Sequence, residues 1–315
     1  MKSTIAFVFP GQGSQHIGML SELAGSYPQV TQMFEAVSER LGYDLWTLIQ
    51  QGPEERLNQT EQTQAAMLTA DVAIYTLLEQ GLGYKPSIMA GHSLGEYAAL
   101  VCANAISLVD AAELVSHRGR LMQEAVPVGL GSMAVIVGLP DDKVQSICVQ
   151  ASTTGEQVTP ANYNAIGQVV IAGHSPAVAR AIALAEEVGA RMAKVIPVSV
   201  PCHCSLLTSA ADRFEEYLQA TSFRSPEAKV ISNVDLSVYE SPQHIRQLLK
   251  EQLYKPVRWV ETIQAMKHDG VQHVIECGPG RVLSGLAKRI DSSLKAMSVY
   301  DNASLDKVLY LENFA

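Results

Sequence analysis

The 315 residues are 47% apolar and 17% charged. That suffices for a sizeable core in one large domain, or a large domain carrying a smaller one, and leaves little room for disorder. A net charge of −9 excludes a general nucleic-acid binder, which needs basic patches to neutralise phosphates.

Lys2 and the short apolar run from Thr4 to Phe9 are too brief for a signal-peptide core or a membrane span, so a soluble protein with no membrane contact is expected. Ile5–Phe9 has the continuous apolar character of a strand buried on both faces, and Pro10-Gly11-Gln12-Gly13 turns the chain after it. Asn58 with Glu61 predicts a capped helix start, and Gly81 a helix stop. Ser87–Ala90 predicts a second strand, Leu94–Val101 a helix, and Ala111–Gln123 another, stopped by Pro127 and Gly129.

The rhythm then changes. Strands are predicted at Ser132–Val137, Thr159–Asn164, Gln168–Ala172 and Arg191–Val198, with helices at Asp141–Gln150 and Pro176–Val188. The order βαββαβ is the split βαβ, ferredoxin-like pattern, so 126–200 is expected to be an inserted small domain. Helix–strand alternation resumes after Pro201, with strands at Lys229–Asn233 and His273–Cys277 and a helix from Val282. Such alternation implies a mostly parallel sheet in a large domain made of 1–125 and 201–315.

Gly91-His92-Ser93-Leu94-Gly95 carries the chemistry. It follows a predicted strand and opens a predicted helix, the context of a nucleophile elbow. A tight turn there exposes the serine hydroxyl, and the following helix N-terminus directs free N–H groups at a developing oxyanion. A serine needs a base. Of the eight histidines, His203 stands where the small domain returns to the large one; His92 adjoins the serine but points elsewhere from so tight a turn. The glycine turns at 11–13 and 278–280 fail the dinucleotide and phosphate-loop patterns, so each reads as a structural turn, the first with the alternative of a backbone N–H, that of Gln12, aimed at an oxyanion.

Cys102, Cys148, Cys202, Cys204 and Cys277 are odd in number and irregularly spaced, which gives no disulfide framework. The Cys202-His203-Cys204 spacing is too tight for a zinc knuckle; no metal is expected, and reduced cytoplasmic thiols are the plain reading.

Together with Phe9-Pro-Gly-Gln-Gly-Ser-Gln15, the elbow resembles that of malonyl-CoA:acyl carrier protein transacylases. The match continues through Gln62-Thr63-Gln64, Arg118-Gly119, Met122–Pro127, Gly167–Gly173, Pro201-Cys-His-Cys204, Gln252–Val257 and Gly278-Pro-Gly280. The resemblance implies an α/β-hydrolase-like large domain with the ferredoxin-like insertion, and no cofactor. It implies Ser93 as nucleophile, His203 as base, and an oxyanion hole at the N–H groups of Gln12 and Leu94. Arg118 would face the malonyl carboxylate; without the resemblance it reads as a helix-surface arginine. A main-chain carbonyl at Gln252 would orient the imidazole, and Asn162 and Asn164 would touch the pantetheine arm. Malonyl-CoA and holo-acyl carrier protein are the implied partners of a cytoplasmic monomer, with Lys288 and Arg289 as candidate contacts to an acidic carrier or a solvated helix end. The family's prolines after Gln64 and before Gly167 are here Ala65 and Ile166, and its frequent serine beside the base is Cys202. A serine thioesterase or esterase acting on acyl-CoA is the competing reading; it would add an acid, in the order Ser, acid, His, to orient the histidine.

Overall fold

A computed structural model describes residues 4–83, 86, 88–198 and 200–310. Lys2, and Ser87 at the start of the second predicted strand, lie outside the described residues.

Five strands, β1 (Thr4–Phe9), β2 (Ile88–Gly91), β7 (Lys229–Ile231), β8 (Val271–Cys277) and β9 (Lys295–Val299), form a parallel sheet in the order β7-β2-β1-β8-β9. β3 (Gly131–Val137), β4 (Val158–Ala165), β5 (Gln168–His174) and β6 (Met192–Val195) form a separate antiparallel sheet, β4-β5-β3-β6. The predicted α/β class and mostly parallel sheet are thus present.

Alternation along β1 explains its central place. Ile5, Phe7 and Phe9 pack into one core, and Ala6 and Val8 into another on the opposite face. Helix Thr60–Leu82 covers the first face and is buried on nearly all sides, which is why its apolar residues show little periodicity. Helices Trp259–His268 and Val282–Ile290 cover the second. The antiparallel sheet alternates likewise: Val169 and Ile171 of β5 face the helices Asp141–Ala151 and Ser175–Glu187, while Val170 and Ala172 face Met133 and Cys204. A short backbone bridge ties β4 to the segment before helix Trp259–His268, with Tyr163 N donating to Val257 O at 2.9 Å and Val257 N to Ala161 O at 2.8 Å.

Several boundaries differ from expectation. Asn58 does not cap the long helix; it ends the single turn Glu54–Leu57, and the helix begins at Thr60 with no side-chain cap. Gly81 lies inside that helix and Gly83, in the left-handed conformation, ends it. Ser107, whose hydroxyl accepts from Asp110 N, caps the next long helix, which starts at Leu108, three residues before the predicted Ala111. β6 stops at Val195 instead of Val198 because its pairing with β3 ends at Ala134. Among the described residues, no helix is long and apolar enough to cross a membrane.

Candidate active site

The carboxyl ends of β1 and β2 open onto one crevice, where open parallel sheets place their ligands, with the helix that follows β8 on its rim. A cavity of about 760 Å³ there is lined by the turn 10–15, His92, Ser93, Asn162, Asn164, His203 and the start of helix Val282–Ile290.

The elbow is built by close packing. An ideal Cβ on Gly91 would lie 1.8 Å from the Gly95 carbonyl carbon, and one on Gly95 would lie 2.0 Å from Phe9 O. Only glycine lets the strand, the helix and the first loop approach so closely. Ser93 between them sits at φ +53°, a left-handed conformation that side chains rarely adopt outside functional turns. His92 N donates to Phe9 O at 2.9 Å, which ties the elbow to the end of β1 and brings Gln12 to the same cavity as Ser93. Leu94 caps the N-terminus of helix Gly95–Cys102.

His203, also at positive φ (+59°), is buried, with its Nε2 at 2.8 Å from Ser93 Oγ. Its Nδ1 lies 2.7 Å from the main-chain carbonyl of Gln252. A carbonyl only accepts, so Nδ1 carries the ring proton and Nε2 is left to accept from the serine hydroxyl. Burial, and then the neighbouring Arg118 guanidinium, push the imidazole down to about 3, keeping it neutral. Cys202 lines the same cavity; burial lifts its thiol to about 11, so it stays protonated.

Arg118 is 1% exposed despite its charge. Its Nη2 donates to Gln252 Oε1 at 2.8 Å and lies 3.4 Å from Ser93 Oγ, and its guanidinium sits 5.4 Å from the Tyr97 ring centroid. The helix-surface reading of this arginine therefore fails: helix Leu108–Ala125 turns it inward. Asn164 Oδ1 lies 2.8 Å from His92 Nε2, so His92 does point away from the serine hydroxyl. Asn162 is buried on the cavity wall. Lys288 and Arg289 are exposed at the far end of a helix whose Leu283 and Leu286 line the cavity, and Arg289 donates to Gln168 Oε1 at 2.6 Å.

Two residues escaped the sequence. Asn233, just beyond β7, accepts from Ser93 N at 2.8 Å and donates to Gly91 O at 2.7 Å, stapling the elbow from below. Glu96 is fully buried beneath it, and burial raises its carboxyl to about 7 against the pull of its donors and Arg118. A glutamate inside the apolar stretch 94–102 was the available signal; Asn233 had none. Among the described residues, no cluster of three or more His, Cys, Asp or Glu could hold a metal.

Residues 6–303 match the acyl transferase domain family. Over 306 residues the chain is 50% identical to the malonyl CoA-acyl carrier protein transacylase of Escherichia coli K12, covering 97% of this chain and 99% of that one. The solved malonyl CoA-acyl carrier protein transacylase of Coxiella burnetii superposes with a TM-score of 0.96 at 50% identity, over 98% of each chain. A solved complex, described as a type II PKS acyl-carrier protein with its malonyl-transacylase, superposes with a TM-score of 0.95 at 50% identity over 98% of this chain and 99% of that one.

Proposed function

Because the chain belongs to the acyl transferase family of malonyl CoA-acyl carrier protein transacylases, we propose that it moves a malonyl group from malonyl-CoA to the phosphopantetheine thiol of acyl carrier protein in fatty-acid biosynthesis. The observation that carries this reading is Arg118, a buried guanidinium 3.4 Å from Ser93 Oγ. A planar guanidinium pairs with a carboxylate through two parallel bonds, and an acetyl group would leave that cation unpaired in the interior.

Ser93, giving its proton to His203, attacks the thioester carbonyl of malonyl-CoA. The N–H groups of Gln12 and Leu94 hold the oxyanion; one such donor is worth about 10²–10³ in rate. The tetrahedral species collapses, the C–S bond breaks, and His203 returns the proton to the coenzyme A sulfur. A malonyl-serine ester remains. The carrier's thiol then gives its proton to His203 and attacks the ester; the C–O bond breaks and His203 passes the proton to Ser93 Oγ, in ping-pong order. Asn162 and Asn164 face the pantetheine arm from the cavity wall. The dyad needs no acid: the imidazole is oriented by Gln252 O, and this weighs against the thioesterase arrangement, in which a carboxylate would hold Nδ1.

The fold supports a matching division. Residues 1–125 and 201–315 form an α/β-hydrolase-like domain, and 126–200 a ferredoxin-like insertion. The reading takes the chain to act as a monomer, and the activity fits the cytoplasm. Transfer and hydrolysis of malonyl-CoA, measured with and without holo-acyl carrier protein, test the reading. Carrier-dependent malonyl transfer is expected, and hydrolysis that ignores the carrier would refute it.

A further inference from the structure

Behind the site lies a buried acid that no step above uses. Glu96 Oε1 accepts from the Tyr239 hydroxyl at 2.6 Å and from Asn233 N at 3.1 Å, and its Oε2 accepts from Gln252 Nε2. These donors come from two segments of the chain, 233–239 and Gln252, and one carboxylate gathers them.

Above about pH 7, where Glu96 is ionised, its carboxylate can only accept, so it dictates which end of the Gln252 amide faces it. With Nε2 turned to Glu96 and to Ser93 O (2.9 Å), Oε1 is the atom left for Arg118 Nη2 at 2.8 Å. A flipped amide would set N–H against guanidinium. The same carboxylate pins the backbone of Asn233, whose side chain spans Ser93 N and Gly91 O.

We propose that Glu96 is a positioning residue for malonyl selection: it locks the Gln252 amide in the orientation that offers Arg118 an acceptor, and so holds the guanidinium beside Ser93 Oγ. The proposal rests on the malonyl-transfer reading and extends it to a group that touches no substrate. Its two oxygens, both acceptors above about pH 7, are the feature an amide cannot copy, because three donors converge on them.

Glu96→Gln is nearly isosteric and tests this. The introduced amide keeps one oxygen for Tyr239 and Asn233 but presents an N–H₂ group to Gln252. Gln252 must then turn its oxygen toward it and its own N–H₂ toward Arg118. At about pH 8, where the wild-type carboxyl is ionised, the ratio of kcat/KM for malonyl-CoA over acetyl-CoA is expected to fall about 10-fold or more, the scale of a lost charge-assisted bond. Labelling of Ser93 by a fluorophosphonate, which needs only the serine and histidine, is expected to keep its wild-type rate. Tyr239→Phe removes a buried bond to the same carboxylate without touching Gln252, and is expected to lower Tm while leaving the ratio alone. An unchanged ratio in Glu96→Gln overturns the proposal. So does an equal fall in malonyl transfer, acetyl transfer and labelling, or an equal ratio change in Tyr239→Phe, since each marks a merely structural network. Should Glu96→Gln not fold, Glu96→Asp keeps the charge but withdraws it from Gln252; a fallen ratio with normal labelling then supports the proposal, and an unchanged ratio overturns it. Wild-type protein with no malonyl preference would instead sink the transferase reading itself.

Discussion

The parallel sheet brings Gln12 and Ser93 to the cavity on loops that leave the ends of β1 and β2, and Asn233, just beyond β7, holds Ser93 N from beneath. The antiparallel sheet brings Met133, Asn162, Asn164 and Val170 from within β3, β4 and β5. At the ends of the parallel strands the backbone has left its ladder, so N–H groups and strained turns are free to face a substrate. Inside the antiparallel strands the backbone is spent on pairing, and only alternate side chains reach the cavity. One sheet therefore supplies reactive geometry and the other supplies a wall.

The sharpest break of this comparison is on the reactive side. Ser93→Ala is expected to lower turnover by about 10⁶-fold, as loss of the nucleophile does in serine enzymes. Intact-protein mass spectrometry after mixing with malonyl-CoA should show no malonyl adduct, and an adduct in this variant would remove Ser93 from its role. Arg118→Ala comes next. Malonyl over acetyl preference, read as relative kcat/KM, is expected to fall by about 10²-fold, the cost of breaking a buried charged pair; equal losses for both substrates would deny the carboxylate role.

On the wall side the effect should be smaller. Asn164→Ala removes the 2.8 Å bond to His92, a link between the antiparallel sheet and the elbow. A net hydrogen bond predicts less than about a 10-fold loss in kcat/KM. A loss as large as that of Arg118→Ala would make the wall part of the chemistry.

The smallest effect concerns pH. His203 falls from 6.5 to about 3 in the fold, so its imidazole remains neutral well into acid. Single-turnover acylation of Ser93 should stay flat from about pH 8 to about pH 5, whereas a midpoint near an ordinary histidine value would mean a solvated imidazole. Stability follows with opposite signs. The unfolded chain protonates His203 first, so its contribution is present above pH 6.5 and is lost as pH falls toward about 3. Glu96, raised from 4.5 to about 7, contributes below pH 4.5 and loses that contribution as pH rises through about 7.

The elbow was legible because its signal is local. Two glycines around a serine, after an apolar strand and before a helix, require the close approaches found at Gly91 and Gly95. The two-sided burial of β1 was legible for the same reason, as was the βαββαβ order, since both rest on periodicities of a few residues. Helix ends were read less well, both where no cap bond forms, as at Asn58 and Thr60, and where one does, as at Ser107.

By itself, then, the sequence determined where backbone must bend, which strands are buried, and which serine is exposed on a turn. Only the tertiary structure decided what surrounds that serine. Arg118 stands 25 residues from Ser93 in sequence, Asn233 140 and Gln252 159. No local pattern specifies an arginine turned inward or a carbonyl aimed at an imidazole. Those placements follow from long-range packing, in which a buried Glu96 has to be met by Tyr239, Asn233 and Gln252 together because none of them can be left unbonded in the core.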